Sequence, residues 1–262
     1  MCWPARNGNS GSLSEVTLRP AAGRSLLFVC PAYRRVELAR ICYRQFASLK
    51  NSAALYGLEA RFLVLADDEN LDAADSAGLM TQEAENRLGE RLNTGYRFAY
   101  EHGFDYVCPV GNDSWLHPPR FQWLPVGDAI LCTRNYTCVN AAADQQAALR
   151  LDYPGGVGYR VFPTGMFSRV DYAPLDPYQM SGCDTGTLLA LCRNVVRAPD
   201  LIYTDVHPAE TVGFQSPDVQ ITKWAWFLQH PHDKQEPFHG LADLYGDGLV
   251  DAVRQHYAAV AV

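Results

Sequence analysis

The first half of the chain switches repeatedly between short apolar runs and stretches with helical spacing. Ser25–Cys30 is a nearly unbroken apolar run closed by Pro31, as expected of a strand buried on both faces. From Arg35 to Lys50 the apolar residues are Val36, Leu38, Ala39, Cys42, Phe46 and Leu49, which predicts a helix with a charged outer face. Ala60–Ala66 is a second apolar run and ends in Asp67-Asp68-Glu69-Asn70. The acidic, small-residue stretch Asp72–Gly78 reads as a loop. Glu83–His102 is again helical, with Leu88, Leu92, Tyr96 and Ala99 in register and Gly103 as its stop. A third buried strand, Tyr106–Val110, then runs into the polar turn Gly111-Asn112-Asp113.

This alternation of strand and helix predicts right-handed βαβ units around a mainly parallel sheet, hence an α/β fold. Later elements are less regular. Ala129–Thr133 reads as a strand, Tyr153–Tyr159 as a glycine-rich turn, and Leu188–Val195 as a helix that Asp184 or Thr185 would cap. Ala198–Val206 reads as a late strand reaching His207, and Gly248–Val262 as a last helix. With no internal repeat and no clean linker, the expectation is a flexible leader or loose strand over 1–23 and one domain over 24–262. Within that domain, a regular first half, 24–115, is followed by a more irregular second half, 116–262.

Charge adds an asymmetry. The net charge is −7, yet residues 1–60 hold eight Lys/Arg against three Asp/Glu, leaving 14 against 26 for the remainder. A basic N-terminal third permits a polyanionic partner, whereas the total argues against general nucleic-acid affinity. None of the eight cysteines forms a CxxC pair and several sit inside apolar runs, the usage of buried thiols in a reducing compartment. Together with the lack of an apolar N-terminal core and of any membrane-length apolar run, this predicts a cytoplasmic protein.

Candidate chemistry gathers at the ends of the predicted strands: Pro31-Ala32-Tyr33-Arg34, Asp67-Asp68, Asn112-Asp113 and His207. Parallel strands deliver their C-terminal ends to one edge of the sheet, where α/β proteins bind ligands. There Asp113 and His207 would offer a carboxylate and an imidazole to one divalent cation, with phosphate oxygens and water completing its shell. Tyr33 would stack on a base, and Asp68 would accept hydrogen bonds from a base or ribose.

This order of parts resembles a GT-A (Rossmann-like) glycosyltransferase, of the family-two-like and compact phage-type nucleotide-sugar kind. The likeness rests on Pro31-Ala32-Tyr33-Arg34, Asp68, Asn86-Arg87-Leu-Gly89 with Asn93-Thr-Gly95, Gly111-Asn112-Asp113 at the position of the DXD motif, and Gly182-Cys183-Asp184. It implies a parallel sheet flanked by helices, with an irregular acceptor-side C-terminal part. It also implies a hexosyl transfer from a nucleotide sugar, a UDP-sugar by preference, with inversion. Pro31, Ala32, Tyr33, Arg34, Asp68, Arg87, Asn93 and Asn112 would hold the donor. Asp113 and His207 would hold Mn²⁺ or Mg²⁺ on the diphosphate, and Asp184 would take the acceptor's proton. The sequence departs from the pattern at Gly111, where the first DXD acid is expected, and at Cys183, where a Glu is usual.

Several readings compete. Asp113 fits an ordinary polar turn, Asp184 a helix cap, Tyr33 core packing, and Asn93 with Gly95 close helix–sheet contact. The acceptor is either a hydroxymethylated pyrimidine in DNA, suggested by Arg34, Arg35, Arg40 and Arg44, or a saccharide or protein hydroxyl. A nucleotidyltransferase would need a glycine-rich loop with a lysine after the first strand, and Pro31–Arg35 contains neither. An inactive nucleotide-sugar-binding module is the remaining rival. The oligomeric state is not legible.

Overall fold

The computed structural model describes residues 18–116, 118–133, 135–140, 147–152, 160–193, 199–204, 211–215 and 234–237. Its centre is β2 (Arg24–Pro31), whose residues from Leu26 to Cys30 have no exposed surface. Side chains alternate across a strand. Leu26, Phe28 and Cys30 therefore pack with α1 (Val36–Ala54), while Leu27 and Val29 pack on the other face with α3 (Leu88–Glu101) and α4 (Cys183–Cys192). On the α1 side an aromatic ladder locks helix to sheet: Phe46 stacks on Phe62 at 4.6 Å and Phe62 on Phe28 at 4.3 Å.

The sheet runs β4 (Met80–Glu83), β3 (Leu58–Ala66), β2, β5 (Tyr106–Pro109) and β11 (Phe162–Pro163). The first four strands are parallel and β11 is antiparallel to β5. The chain builds outward from β2 through β3 to β4, then α3 returns it to β5 on the opposite side of β2. That reversal opens a crevice between the C-terminal ends of β2 and β5. The α/β class and the mainly parallel sheet are as the sequence predicts.

Other strands form smaller units. β1 (Leu18–Pro20) pairs with β7 (Trp123–Pro125), so this part of the expected leader is a strand. β8 (Ile130–Thr133) pairs in parallel with β12 (Leu201–Thr204). A second sheet contains β6 (Ser114–Leu116), β9 (Asn135–Asn140), β10 (Ala147–Asp152), β13 (Thr211–Gln215) and β14 (Lys234–Pro237). β6 starts one residue after Asp113, so the Gly111–Asp113 turn links the two sheets.

Three local expectations are corrected. The stretch read as a loop contains α2 (Asn70–Ser76), whose Ala73 and Ala74 are buried. Its single turn of apolar surface is too short to show a helical period. The helix expected from Glu83 begins only at Leu88, because Met80–Glu83 is an edge strand with a polar, largely exposed sequence. α4 starts at Cys183 with Gly182 as its N-cap at φ 63°, which puts Asp184 inside the first turn rather than at the cap. The segments Tyr153–Tyr159 and Gly248–Val262 lie outside the described residues.

Candidate functional site

β2 ends at Pro31, and only four residues separate it from α1. Two of them, Arg34 and Arg35, adopt left-handed backbone at φ 52° and 51°. For a non-glycine residue this conformation costs about 1–2 kcal/mol, so it persists only where the surroundings enforce it. They do so with side chains from two neighbouring strand ends. The Arg34 N–H donates to Asp68 Oδ2 at 2.8 Å, and the Arg34 carbonyl accepts from Asn70 Nδ2 at 2.9 Å and Asn112 Nδ2 at 3.3 Å. Asn70 is fully buried and is itself fixed by Asp68 Oδ1 at 2.7 Å and by the Tyr43 hydroxyl at 2.9 Å.

Across the crevice, the Arg35 guanidinium grips the turn after β5 with two hydrogen bonds. Nη1 reaches Asp113 Oδ2 at 2.7 Å and Nη2 reaches Asn112 Oδ1 at 2.9 Å. The pair is mostly shielded, with 13% and 22% side-chain exposure for Arg35 and Asp113. Asp113 turns back on its own turn, where Ser114 Oγ donates to Oδ1 at 3.2 Å. A Cβ on Gly111 would collide with Asp113 Oδ1 and lie 2.9 Å from Ser114 Oγ. A side chain at position 111 would therefore make the Asp113 carboxylate and the Ser114 hydroxyl shift.

A second clamp holds the loop from below. Arg91, on the buried face of α3, donates to the Ala32 carbonyl at 2.5 Å, to Asp67 Oδ1 at 2.7 Å and to the Ala84 carbonyl at 2.8 Å. One guanidinium therefore ties together the ends of β2, β3 and β4. Beneath the node, burial pushes the thiols of Cys30 and Cys42 far above their ordinary range; the Asp113 carboxylate adds to this and Arg35 opposes it. Those thiols stay protonated and are not nucleophiles.

The structure brings together Arg34, Asp68, Asn112 and Asp113 of the predicted residues, with Pro31, Ala32 and Tyr33 on the same loop. Tyr33 is half-buried and carries the Arg34 guanidinium over its ring at 4.9 Å. Arg87 pairs with Glu85 at 2.8 Å and lies over the Tyr178 ring at 4.6 Å. Asn93 is buried, and its amide both donates to the Leu175 carbonyl at 2.8 Å and accepts from the Leu175 N–H at 3.2 Å. Asp184 lies in the first turn of α4, its carbonyl accepting from Arg160 Nη1 at 2.8 Å. His207 lies outside the described residues.

Sequence reasoning missed Arg35 as a bridging cation, and it missed Asn70 and Arg91. Arg91 left a faint signal: a charged residue three positions after Leu88, within the apolar stripe of α3. Arg35 and Asn70 left none, because Asn112 and Asp113, the partners of Arg35, and Arg34 and Tyr43, which Asn70 joins to the turn, are distant in sequence.

Among the described residues no group of three or more His, Cys, Asp or Glu side chains is placed to hold a metal ion. The carboxylate expected to bind Mn²⁺ or Mg²⁺ faces a guanidinium, and the adjacent Asn112 oxygen faces the same guanidinium. Asp68, the other acid of the node, holds Arg34 and Asn70. As arranged, the donors among the described residues do not fit a divalent cation; His207, the other expected ligand, lies outside them.

No family profile and no curated protein matches the chain. Solved structures do. TarS of S. aureus in complex with UDP-GlcNAc matches at 13% identity and a TM-score of 0.49, over 78% of this chain and 64% of that one. A nucleotidyl transferase from Methanothermobacter matches at 13% identity and a TM-score of 0.43, over 79% and 96%. The glycosyltransferase GlyE of Streptococcus pneumoniae matches at 11% identity and a TM-score of 0.39, over 92% and 64%. The chain spans 60–64% of the TarS 1–349 structures. At such identities and TM-scores these neighbours assign no role to any residue here. No helix of the described residues is long and apolar enough to cross a membrane.

Proposed function

We propose that this protein is a glycosyltransferase that takes a sugar from a nucleotide diphosphate donor, with UDP-sugars the first class to test. One observation carries the reading. The Arg34-Arg35 turn, Asp68 and Asn112-Asp113 converge at the crevice where strand order reverses, the position at which open parallel sheets bind nucleotides. Two arginines and the N-terminus of the 19-residue helix α1 meet there, a setting suited to phosphate. Tyr33 and Asp68, on the adjoining strand-end loops, are the residues proposed for base and ribose, and the left-handed arginines are the kind of enforced strain that accompanies function.

In the proposed reaction the acceptor oxygen forms a bond to the anomeric carbon while the bond from that carbon to the diphosphate oxygen breaks. The electron pair leaves with the diphosphate, and the acceptor proton passes to Asp184, the base implied by the resemblance of Gly182-Cys183-Asp184 to the family pattern. The acceptor is a saccharide or protein hydroxyl in preference to DNA. Arg40, one of the arginines behind the DNA reading, is paired with Glu37, and the net charge of −7 counts against a polyanionic acceptor.

The test is release of nucleoside diphosphate from a panel of UDP-, GDP-, CDP- and ADP-sugars, run with chelator and with Mn²⁺. At least one donor is expected to turn over, with a loss of about tenfold or more in Asp68→Ala and Asp184→Asn. Failure to bind or cleave every donor in both conditions overturns the reading.

A further inference from the structure

We propose that Arg35 itself supplies the positive charge that faces the donor diphosphate, so that nucleotide binding needs no divalent cation. The inference rests on the nucleotide-sugar reading above and departs from it on one point, the metal.

Three features of the crevice lead there. First, both oxygen donors at the tip of the β5 turn, Asp113 Oδ2 and Asn112 Oδ1, are aimed at one guanidinium at 2.7 and 2.9 Å. A cation bound at Asp113 would sit next to this arginine, and two like charges in a mostly shielded crevice repel strongly. Second, position 111, where another acid would complete a two-carboxylate site, is a glycine, and a side chain there would have to push the Asp113 carboxylate and the Ser114 hydroxyl aside. Third, Arg35 is positioned more firmly than a surface arginine. Its backbone is left-handed, it is the N-cap residue of α1, and the preceding Arg34 carbonyl is held by Asn70 and Asn112.

Arginine suits this task. Its planar fork matches phosphate geometry, it remains charged at every working pH, and it is more easily desolvated than an ammonium group. The N-terminal end of α1 adds partial positive charge from the same direction. In this arrangement Asn112 and Asp113 serve as positioning residues: they hold the guanidinium plane across the crevice between β2 and β5. Asp113 acts through Arg35 and not as a metal ligand.

Two measurements decide the matter. Titration calorimetry with UDP, GDP, CDP and ADP is run in EDTA and again in Mn²⁺, and the paramagnetic resonance signal of aqueous Mn²⁺ is followed as protein is added with and without nucleotide. The expected result is one nucleotide whose Kd agrees in EDTA and Mn²⁺ within about threefold. The Mn²⁺ signal should fall no further than with the nucleotide alone. Arg35→Asn, chosen because asparagine tolerates left-handed backbone, should weaken that nucleotide by about tenfold or more in EDTA. Arg35→Lys, which keeps the charge without the fork, should fall between the two and serves if the asparagine variant does not fold by circular dichroism.

Binding that is about tenfold tighter in Mn²⁺, with Mn²⁺ immobilised by wild type but not by Asp113→Asn, overturns the proposal and leaves the transferase reading standing. Unchanged binding in both Arg35 variants also overturns it. If no nucleotide binds in either buffer, both readings fall together.

Discussion

Arg91 reaches from the buried face of α3 to Asp67 at the end of β3, 2.7 Å away, with 2% of the arginine side chain and 36% of the aspartate exposed. The same guanidinium holds the carbonyls of Ala32 and Ala84. The strand-end loops are thus positioned from inside the protein. Arg91→Ala would strand two carbonyls, while the partly exposed carboxylate regains water. A loss of about 2–3 kcal/mol in urea denaturation is expected. A loss below about 1 kcal/mol would show that the loop does not depend on this clamp.

Gly95 faces Val29 so closely that an added Cβ collides with both Val29 γ-carbons. Alanine raises helix propensity by ~1 kcal/mol over glycine. Overpacking against the centre of the sheet, which costs about 1–3 kcal/mol, should nevertheless win. Gly95→Ala is therefore expected to destabilise, and the double variant with Val29→Ala should show favourable coupling of about 1 kcal/mol. Strict additivity in that cycle would refute the contact.

Asp68 secures the left-handed Arg34 and the start of α2 through three hydrogen bonds. Asp68→Ala should cost about 1–2 kcal/mol of stability. It should also weaken nucleotide binding, since the Arg34-Arg35 turn loses its restraint. Calorimetry on the folded variant checks both, and an unaltered Kd would assign Asp68 a purely structural role.

Cys30, Cys42, Cys108, Cys132 and Cys183 are buried free thiols. Burial raises Cys108 from 9.0 to about 12, and burial with the neighbouring Asp184 raises Cys183 from 9.0 to about 11. A thiol whose folded pKa lies above its unfolded value contributes stability that is complete below the unfolded value and is lost as pH rises through the folded one. Stability should therefore hold to about pH 9 and then fall as pH rises, with the fully buried Cys108 contributing up to ~1.4 kcal/mol per pH unit. Below that window these five cysteines should resist iodoacetamide in the native protein and react in urea, as read by mass spectrometry.

The sequence by itself determined the α/β class, the strands expected over Ser25–Cys30, Ala60–Ala66 and Tyr106–Val110, and the helices that became α1 and α3. Burial on both faces of a strand, or on one stripe of a helix, writes itself into a local period. The sequence also marked Tyr33, Asp68 and Asp113 as strand-end residues, because a parallel sheet sends such ends to one edge. β4 and α2 escaped, one as a polar edge strand and the other as a single short turn with two buried alanines. Only the tertiary structure decided what the carboxylate of Asp113 meets. Its partner Arg35 lies 78 positions away and belongs to a different strand end. No period or spacing encodes that approach: it follows from the reversal of strand order that places β2 beside β5. A carboxylate that the motif offered to a metal is held by a guanidinium fixed at the mouth of a helix.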